Sequence, residues 1–374
     1  MIPNRMAAVQ LTGYGGLSCL DYRTDVLVPK LATGEVLVRV TAAGMNNTDI
    51  NTRTGWYNSR VSDGTTRVGG QQGFNIREAG MGDWASDIRF PRIQGADCVG
   101  RIVDVGEGVD AIRIGERVVC APYIYDLSDP EWLENAGFLG AEYDGAFAQF
   151  TKIPARNAVT LADDLPYSDV QLATLPCSGG TAMNMMIMAG LKPGDIVLIS
   201  GASGGVGTFL IQIAKHYGAE VVAICGAAKT DDVRALGADA AVDRAASNHA
   251  YEALACTEGR KFTLVADVVG GERFPEYLSL LKRGGRYVTA GAIAGPHVHL
   301  DLRTLYLKNL SFFGSTVYLQ ETFPRLIEIL CQGGLIPAVA ATRPLAEIRI
   351  AQEAFLDKNH VGSMVLIPPQ EDMK

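Results

Sequence analysis

The stretch Ile196 to Tyr217, IVLISGASGGVGTFLIQIAKHY, decides how the rest of the chain is read. Ile196 to Ser200 is β-branched or apolar up to its last residue and too short for a helix, so it reads as a strand buried on both faces. A glycine-rich turn follows. Beyond it Val206, Phe209, Leu210, Ile213, Ala214 and Tyr217 recur at helical spacing and give one apolar stripe to lay on a sheet. Strand, glycine turn and helix in this order form the phosphate-binding corner of a dinucleotide site.

The chemistry of that corner calls for small residues. Gly204 and Gly205 let the backbone approach a pyrophosphate, and Gly207 lets the helix approach the strand. The first-turn N–H groups, from Ser203 to Gly207 and including Val206, receive the anion with the helix dipole. The usual fingerprint has a glycine at 202; here Ala202 stands there, with Gly201 before it.

At 374 residues the length favours two domains, each able to bury a core. With 48% hydrophobic and 20% charged residues the composition is globular, and a net charge of −8 without a basic cluster argues against a nucleic-acid or anionic-membrane surface. A small-molecule substrate is expected. The start, MIPNRMAAVQL, has no apolar signal core, and no apolar run approaches the roughly eighteen residues of a membrane span. Seven cysteines scattered singly do not look like a disulfide framework, so a reducing cytoplasm is the expected home.

From Met6 to about Leu161 the pattern is short strands between turn residues, a β-rich and barrel-like domain. Between Asn58 and Arg92 that rhythm is lost to a polar stretch punctuated by Gly64, Gly69, Gly70, Gly73, Gly80 and Gly82. From about Ser168 helices and strands alternate. Ser168 caps a helix expected to run toward Met188, and strands are expected at 196–200, 221–225, 240–242, 264–269, 286–290 and 310–316. Six strands alternating with helices is an α/β fold with a doubly wound parallel sheet. The tail carries a helix from Phe323 to Cys331, then a strand, Gly362 to Ile367, that can return to the first domain.

The end of the second strand selects the cofactor. An acid there would bind the ribose 2′-OH of NAD and repel the 2′-phosphate of NADP. After Cys225 come Gly226, Ala227, Ala228 and Lys229, with no acid and a cation, so NADP (as NADPH) is expected, with Gly226 and Lys229 at the site.

With these residues in view, the two-domain order, the GASGGVG turn at 201–207 and the KRGGRYVTAGA segment at 282–292 resemble the medium-chain dehydrogenase/reductase superfamily. Within it the chain is more similar to the quinone and enoyl reductase branches than to the alcohol dehydrogenases. The resemblance implies a GroES-like catalytic domain from residues 1–165 and 319–374, a Rossmann domain over 166–318, and a cleft where nicotinamide meets substrate. It also places Thr181, of LPCSGGTA, and Gly291 against the cofactor.

The zinc-dependent members hold their metal through a Cys in G-x-C-x-x-D, a His and Glu in G-H-E, and a later Cys. Here Asn46 replaces the first thiolate in Gly44-Met45-Asn46-Asn47-Thr48-Asp49, and Ala96 replaces the histidine in Gly95-Ala96-Asp97. Cys177 remains, and one thiolate with one aspartate does not supply the three protein ligands of a catalytic zinc. No bound metal is expected. Without a Lewis acid, hydride addition to an activated C=C needs less help than carbonyl reduction, because the substrate spreads the developing charge as an enolate.

The segment AAGMNNTDINTRTGWY resembles the N-P-x-D-I-N…G-x-Y segment of mitochondrial-type 2-enoyl thioester reductases. Carried across residue by residue, that likeness implies Tyr57 as proton donor, with Asn46 and Asp49 at the site; Asn47 stands where the family has Pro. The expected chemistry is NADPH-dependent reduction of an enone, enoyl compound or quinone, with Asn46 and backbone N–H groups holding the enolate oxygen. An alcohol dehydrogenase-like enzyme with an unusual metal site and a nucleotide-binding protein without turnover are the alternatives. The 58–92 stretch follows Tyr57 directly and carries Arg60, Arg67, Arg77 and Arg89; it is expected either to fold over the substrate mouth and receive a carboxylate or phosphate, or to be a solvent loop. The apolar LSFFGSTV at 310–317 predicts a homodimer through the last strand of the sheet, where the resembling family often dimerises.

Overall fold

The computed structural model describes residues 2–74 and 88–370. Its nucleotide-binding half is a six-stranded parallel sheet of β1 (Ile196–Ser200), β2 (Glu220–Cys225), β3 (Ala240–Asp243), β4 (Phe262–Asp267), β5 (Leu281–Thr289) and β6 (Ser311–Gly314). The spatial order is β3-β2-β1-β4-β5-β6, so the direction of winding reverses beside β1. That reversal opens a crevice at the carboxyl ends of the strands. All five residues of β1 are buried, and helix α1 (Gly205–His216) lays Phe209, Leu210, Ile213 and Ala214 on the sheet. Each large apolar side chain so buried stabilises the fold by about 1.5–3 kcal/mol.

The other half is a mixed sheet centred on the long strand Glu35–Met45, which pairs antiparallel with Val99–Val105, Phe150–Pro154 and the C-terminal strand Ser363–Ile367. The pairs Met364 with Met45, Val365 with Gly44 and Leu366 with Ala43 carry the chain's end into this sheet. Just upstream, the Gly362 N–H donates to the Ser203 carbonyl at 3.0 Å, so the strand leaves the glycine turn before it reaches residues 43–45. One strand thereby sets Asn46 beside the phosphate-binding corner.

One detail differs from the expectations. The helix beginning at Ser168 is broken: Asp169–Leu172 is followed by a wide π turn, Leu175–Gly179, and the helix restarts as Gly180–Met188. Pro176 has no N–H to give the first segment, and a Cβ on Gly180 would lie 2.3 Å from the Tyr318 ring, so this corner is shaped for a close approach. The expected division at 319 falls where residues of both halves share one apolar cluster. Helix Thr322–Cys331 buries Phe323, Leu326, Ile329 and Leu330 in the same apolar cluster as Met183, Met186 and Phe209, next to the parallel sheet.

Residues 58–74 of the glycine-punctuated stretch are tied into the fold. Thr66 caps a short helix, Arg67–Gln72, and the Thr65 N–H donates to the Ile293 carbonyl at 2.9 Å, reaching the segment that follows β5. Buried Arg53 anchors this part by donating to Gly15 O, Gly70 O and Gln352 Oε1. Arg67 pairs with Asp357, while Arg60 and Arg89 are exposed. Arg77, Gly80 and Gly82 lie outside the described residues. None of the described helices is long and apolar enough to cross a membrane.

Candidate active site

The glycine turn divides its labour differently from the sequence reading. A Cβ on Gly207 would sit 2.3 Å from the Gly201 carbonyl, so this glycine permits the helix–strand approach. A Cβ on Gly204 would meet nothing nearer than 3.6 Å, which leaves it as the open face. Gly205, read as a ligand-facing residue, is instead covered: the Ser178 and Ser363 hydroxyls would stand 2.5 and 2.9 Å from a Cβ there. The helix N-terminus with Ser203, Gly204 and Val206 remains suited to a pyrophosphate. Gly291 follows β5 at the carboxyl edge of the sheet, and Thr181 Oγ1 lies 3.2 Å from the Tyr318 hydroxyl, so both border the crevice.

At the end of β2, Lys229 is drawn across the crevice, its Nζ donating to the Lys358 carbonyl at 2.5 Å. Lys358 in turn donates to Asn47 Oδ1 at 2.7 Å and covers the Phe355 ring at 3.9 Å. Arg244, which follows β3, brings its Nε to 4.0 Å from the Cβ position of Gly226. Lys229, Arg244 and Lys358 form no ion pair among the described residues. Burial, then the neighbouring Lys229, pushes Lys358 down to about 7, and burial with Lys358 and Lys229 pushes His360 down to about 4. Asp232 and Asp243 lie near this corner, yet neither closes an ion pair with the three cations. The residues after β2 do not point to Arg244; its signal in the sequence is a basic residue directly after the next strand.

On the opposite wall, Asn46 caps helix Asn47–Thr54, and Asp49 completes the capping box by accepting the Asn46 N–H at 2.7 Å. Asn46 Nδ2 donates to Asp97 Oδ2 at 2.7 Å, and its Oδ1 accepts from the Ser178 hydroxyl at 2.9 Å. Asp97 Oδ1 accepts the Cys177 N–H at 2.6 Å. The residues at the metal-ligand positions are therefore bound to one another. Asn46 and Ala96 offer no thiolate or imidazole, and burial holds the Cys177 thiol well above its usual range, hence protonated. This donor set does not fit a catalytic zinc. Burial raises Asp49 and Asp97 to about 7 each, and Asp97 adds to the rise at Asp49.

These bonds revise two assigned roles. Asp49, 3% exposed, caps and supports the helix rather than facing a substrate. Asn46, 7% exposed, is engaged with Asp97 and Ser178, which weakens its expected part as holder of an enolate oxygen.

Tyr57 stands beside this wall. Its hydroxyl donates to Thr48 Oγ1 at 3.1 Å and is also met by Asn51. Burial raises its pKa above that of a free phenol, so it is protonated at neutral pH. The ring packs edge-on to Trp56 and in the small apolar group of Ile88, Phe90 and Phe138. His297 and His299 are exposed beyond β5, away from these residues.

Residues 32–163 match the family model described as alcohol dehydrogenase GroES-like domain, and residues 205–332 match that described as zinc-binding dehydrogenase. A solved protein of Sinorhizobium meliloti, named as a candidate alcohol dehydrogenase, is 43% identical, with a TM-score of 0.88 and 98% of each chain covered. The NAD-dependent alcohol dehydrogenase of Sulfurisphaera tokodaii is 27% identical, covering 92% of this chain and 95% of that one. The acryloyl-coenzyme A reductase of Metallosphaera sedula is also 27% identical, covering 91% and 95%.

Proposed function

The chain belongs to the medium-chain dehydrogenase/reductase superfamily, and on that premise we propose that it is an NADPH-dependent reductase of activated C=C bonds, with enones, enoyl thioesters and quinones as the substrate class. The observation that carries this reading is the hydrogen bonding of Asn46, Asp97 and Cys177, at the metal-ligand positions, to one another and to Ser178, with the protonated phenol of Tyr57 beside them. Such a site has a proton to give and little to hold an alkoxide, which suits enolate chemistry over alcohol oxidation. The likeness to an acryloyl-coenzyme A reductase supports the substrate class. The equal likeness to an alcohol dehydrogenase keeps alcohol oxidation as the second reading.

The nicotinamide dinucleotide supplies the hydride when bound. Ser203, Gly204 and Val206 would hold its pyrophosphate at the helix N-terminus. Lys229 and Arg244 answer the 2′-phosphate with charge, and no acid stands at Gly226 to repel it. Tyr57 delivers the proton to the α-carbon. A pair of such chains would meet along β6, beside which Leu302, Tyr306 and Leu307 are 64, 61 and 57% exposed.

The test is a turnover assay with a panel of enones, enoyl thioesters and quinones, using NADPH carrying deuterium at C4. Saturated product with deuterium on the β-carbon is expected. No turnover on the panel, together with alcohol oxidation, would overturn the reading.

A further inference from the structure

Three phenols wall the crevice beside Cys177, and their hydroxyls are differently employed. Tyr318 donates its one proton between the Cys177 and Pro176 carbonyls, at 2.8 and 3.0 Å. Tyr57 is engaged with Thr48 at 3.1 Å. Tyr123, in the two-residue strand Tyr123–Ile124, has its ring held against Phe138 and Tyr318 with centroids 4.7 Å from each. Its hydroxyl has no hydrogen-bond partner among the described residues, yet it is not among the enclosed polar atoms left without one, so it opens into space. Phe138, against which the ring packs, shares its apolar group with Tyr57, which sets Tyr123 on the Tyr57 side of the crevice. Burial keeps this phenol protonated at neutral pH, so it has a proton to donate.

The rings fix the direction of that donor. A tyrosine clamped on two sides offers a hydrogen bond without losing side-chain freedom, the property required of a donor aimed at developing charge. Asn46, the expected holder of the substrate oxygen, is already bound to Asp97 and Ser178. We propose that Tyr123 is a catalytic residue that donates a hydrogen bond to the substrate's carbonyl oxygen, while Tyr57 serves the α-carbon. The inference rests on the proposed alkene reduction. The hydride pair forms the new C–H bond at the β-carbon, the C=C π pair shifts to the bond between α-carbon and carbonyl carbon, and the carbonyl π pair moves onto oxygen. The enolate C=C pair then takes the Tyr57 proton at the α-carbon as the carbonyl re-forms. Tyr123 keeps its proton throughout, and solvent returns one to Tyr57.

The test compares Tyr123→Phe with the wild type on an enone and an enoyl thioester, reading kcat/KM, its deuterium isotope effect with C4-deuterated NADPH, NADPH affinity and Tm. A loss of about 10²-fold in kcat/KM, as for removal of one oxyanion donor, is expected. It should come with a larger isotope effect and unchanged NADPH affinity and Tm. An active wild type with Tyr123→Phe within threefold of it overturns the assignment. A variant that melts early or loses NADPH assigns the hydroxyl to packing and overturns it too. A wild type that reduces no activated alkene overturns the proposed function itself.

Discussion

Two polar clusters face each other across the crevice, and they differ in how complete they are. Around Asn46 each charged or amide group has found a partner within the chain: Asp97 takes two N–H groups, Asn46 both gives and accepts, and Asp49 closes the helix cap. Around Gly226, Lys229, Arg244 and Lys358 gather with Asp232 and Asp243 nearby but without forming an ion pair among the described residues. A buried polar network that is satisfied fixes structure, whereas an unbalanced set of cations is a site awaiting an anion. The first cluster therefore acts as a frame for Tyr57, and the second as the recognition element for cofactor.

If Tyr57 is the acid that this frame supports, Tyr57→Phe should lower kcat for an enoyl thioester by about 10²- to 10⁴-fold, with NADPH affinity unchanged. A loss below threefold would remove it from that role and leave the frame without a function. The cationic cluster is tested by Lys229→Ala and Arg244→Ala. Each charge-assisted contact is worth about 1.5–3 kcal/mol, so each change should raise the KM for NADPH about 10- to 100-fold. The KM for NADH should stay within a few-fold, and equal rises for both cofactors would assign the cations to the pyrophosphate or to folding.

Stability against pH separates the clusters with a smaller effect. Burial raises Asp97 to about 7, above its unfolded value near 4. Between about pH 4 and 7 the unfolded chain gives up a proton that the folded chain keeps, so stability contributed by this group falls as pH rises through that window. Asp49 acts in the same direction. Asp97→Asn should lower stability by about 1–3 kcal/mol through its mismatched donors and flatten the decline of Tm between pH 4 and 7. An unchanged slope would mean that Asp97 is ionised throughout.

The parallel sheet was legible because its signals are local. The run at 196–200 and the stripe from Val206 to Ala214 carry strand, turn and helix within twenty-odd residues, and both elements are present in the structure. The helix from Ser168 was misread because the break at Pro176 and Gly180 serves Tyr318, a residue far along the chain. The replaced metal ligands were visible residue by residue. What they became was not, since Asn46 meets Asp97 across 51 residues and Ser178 across 132. Arg244 was hidden because β2 and β3 are neighbours only once the sheet is wound. Tyr123 carries no motif at all, and only its unspent hydroxyl beside Tyr57 and Cys177 singles it out.

The most direct measurement is the metal content and alkene reductase activity of one preparation of the purified protein before and after exhaustive chelation. Activity that persists undiminished, without stoichiometric zinc, is the predicted result. Tightly held zinc whose removal abolishes turnover, with alcohols as the preferred substrates, would contradict it.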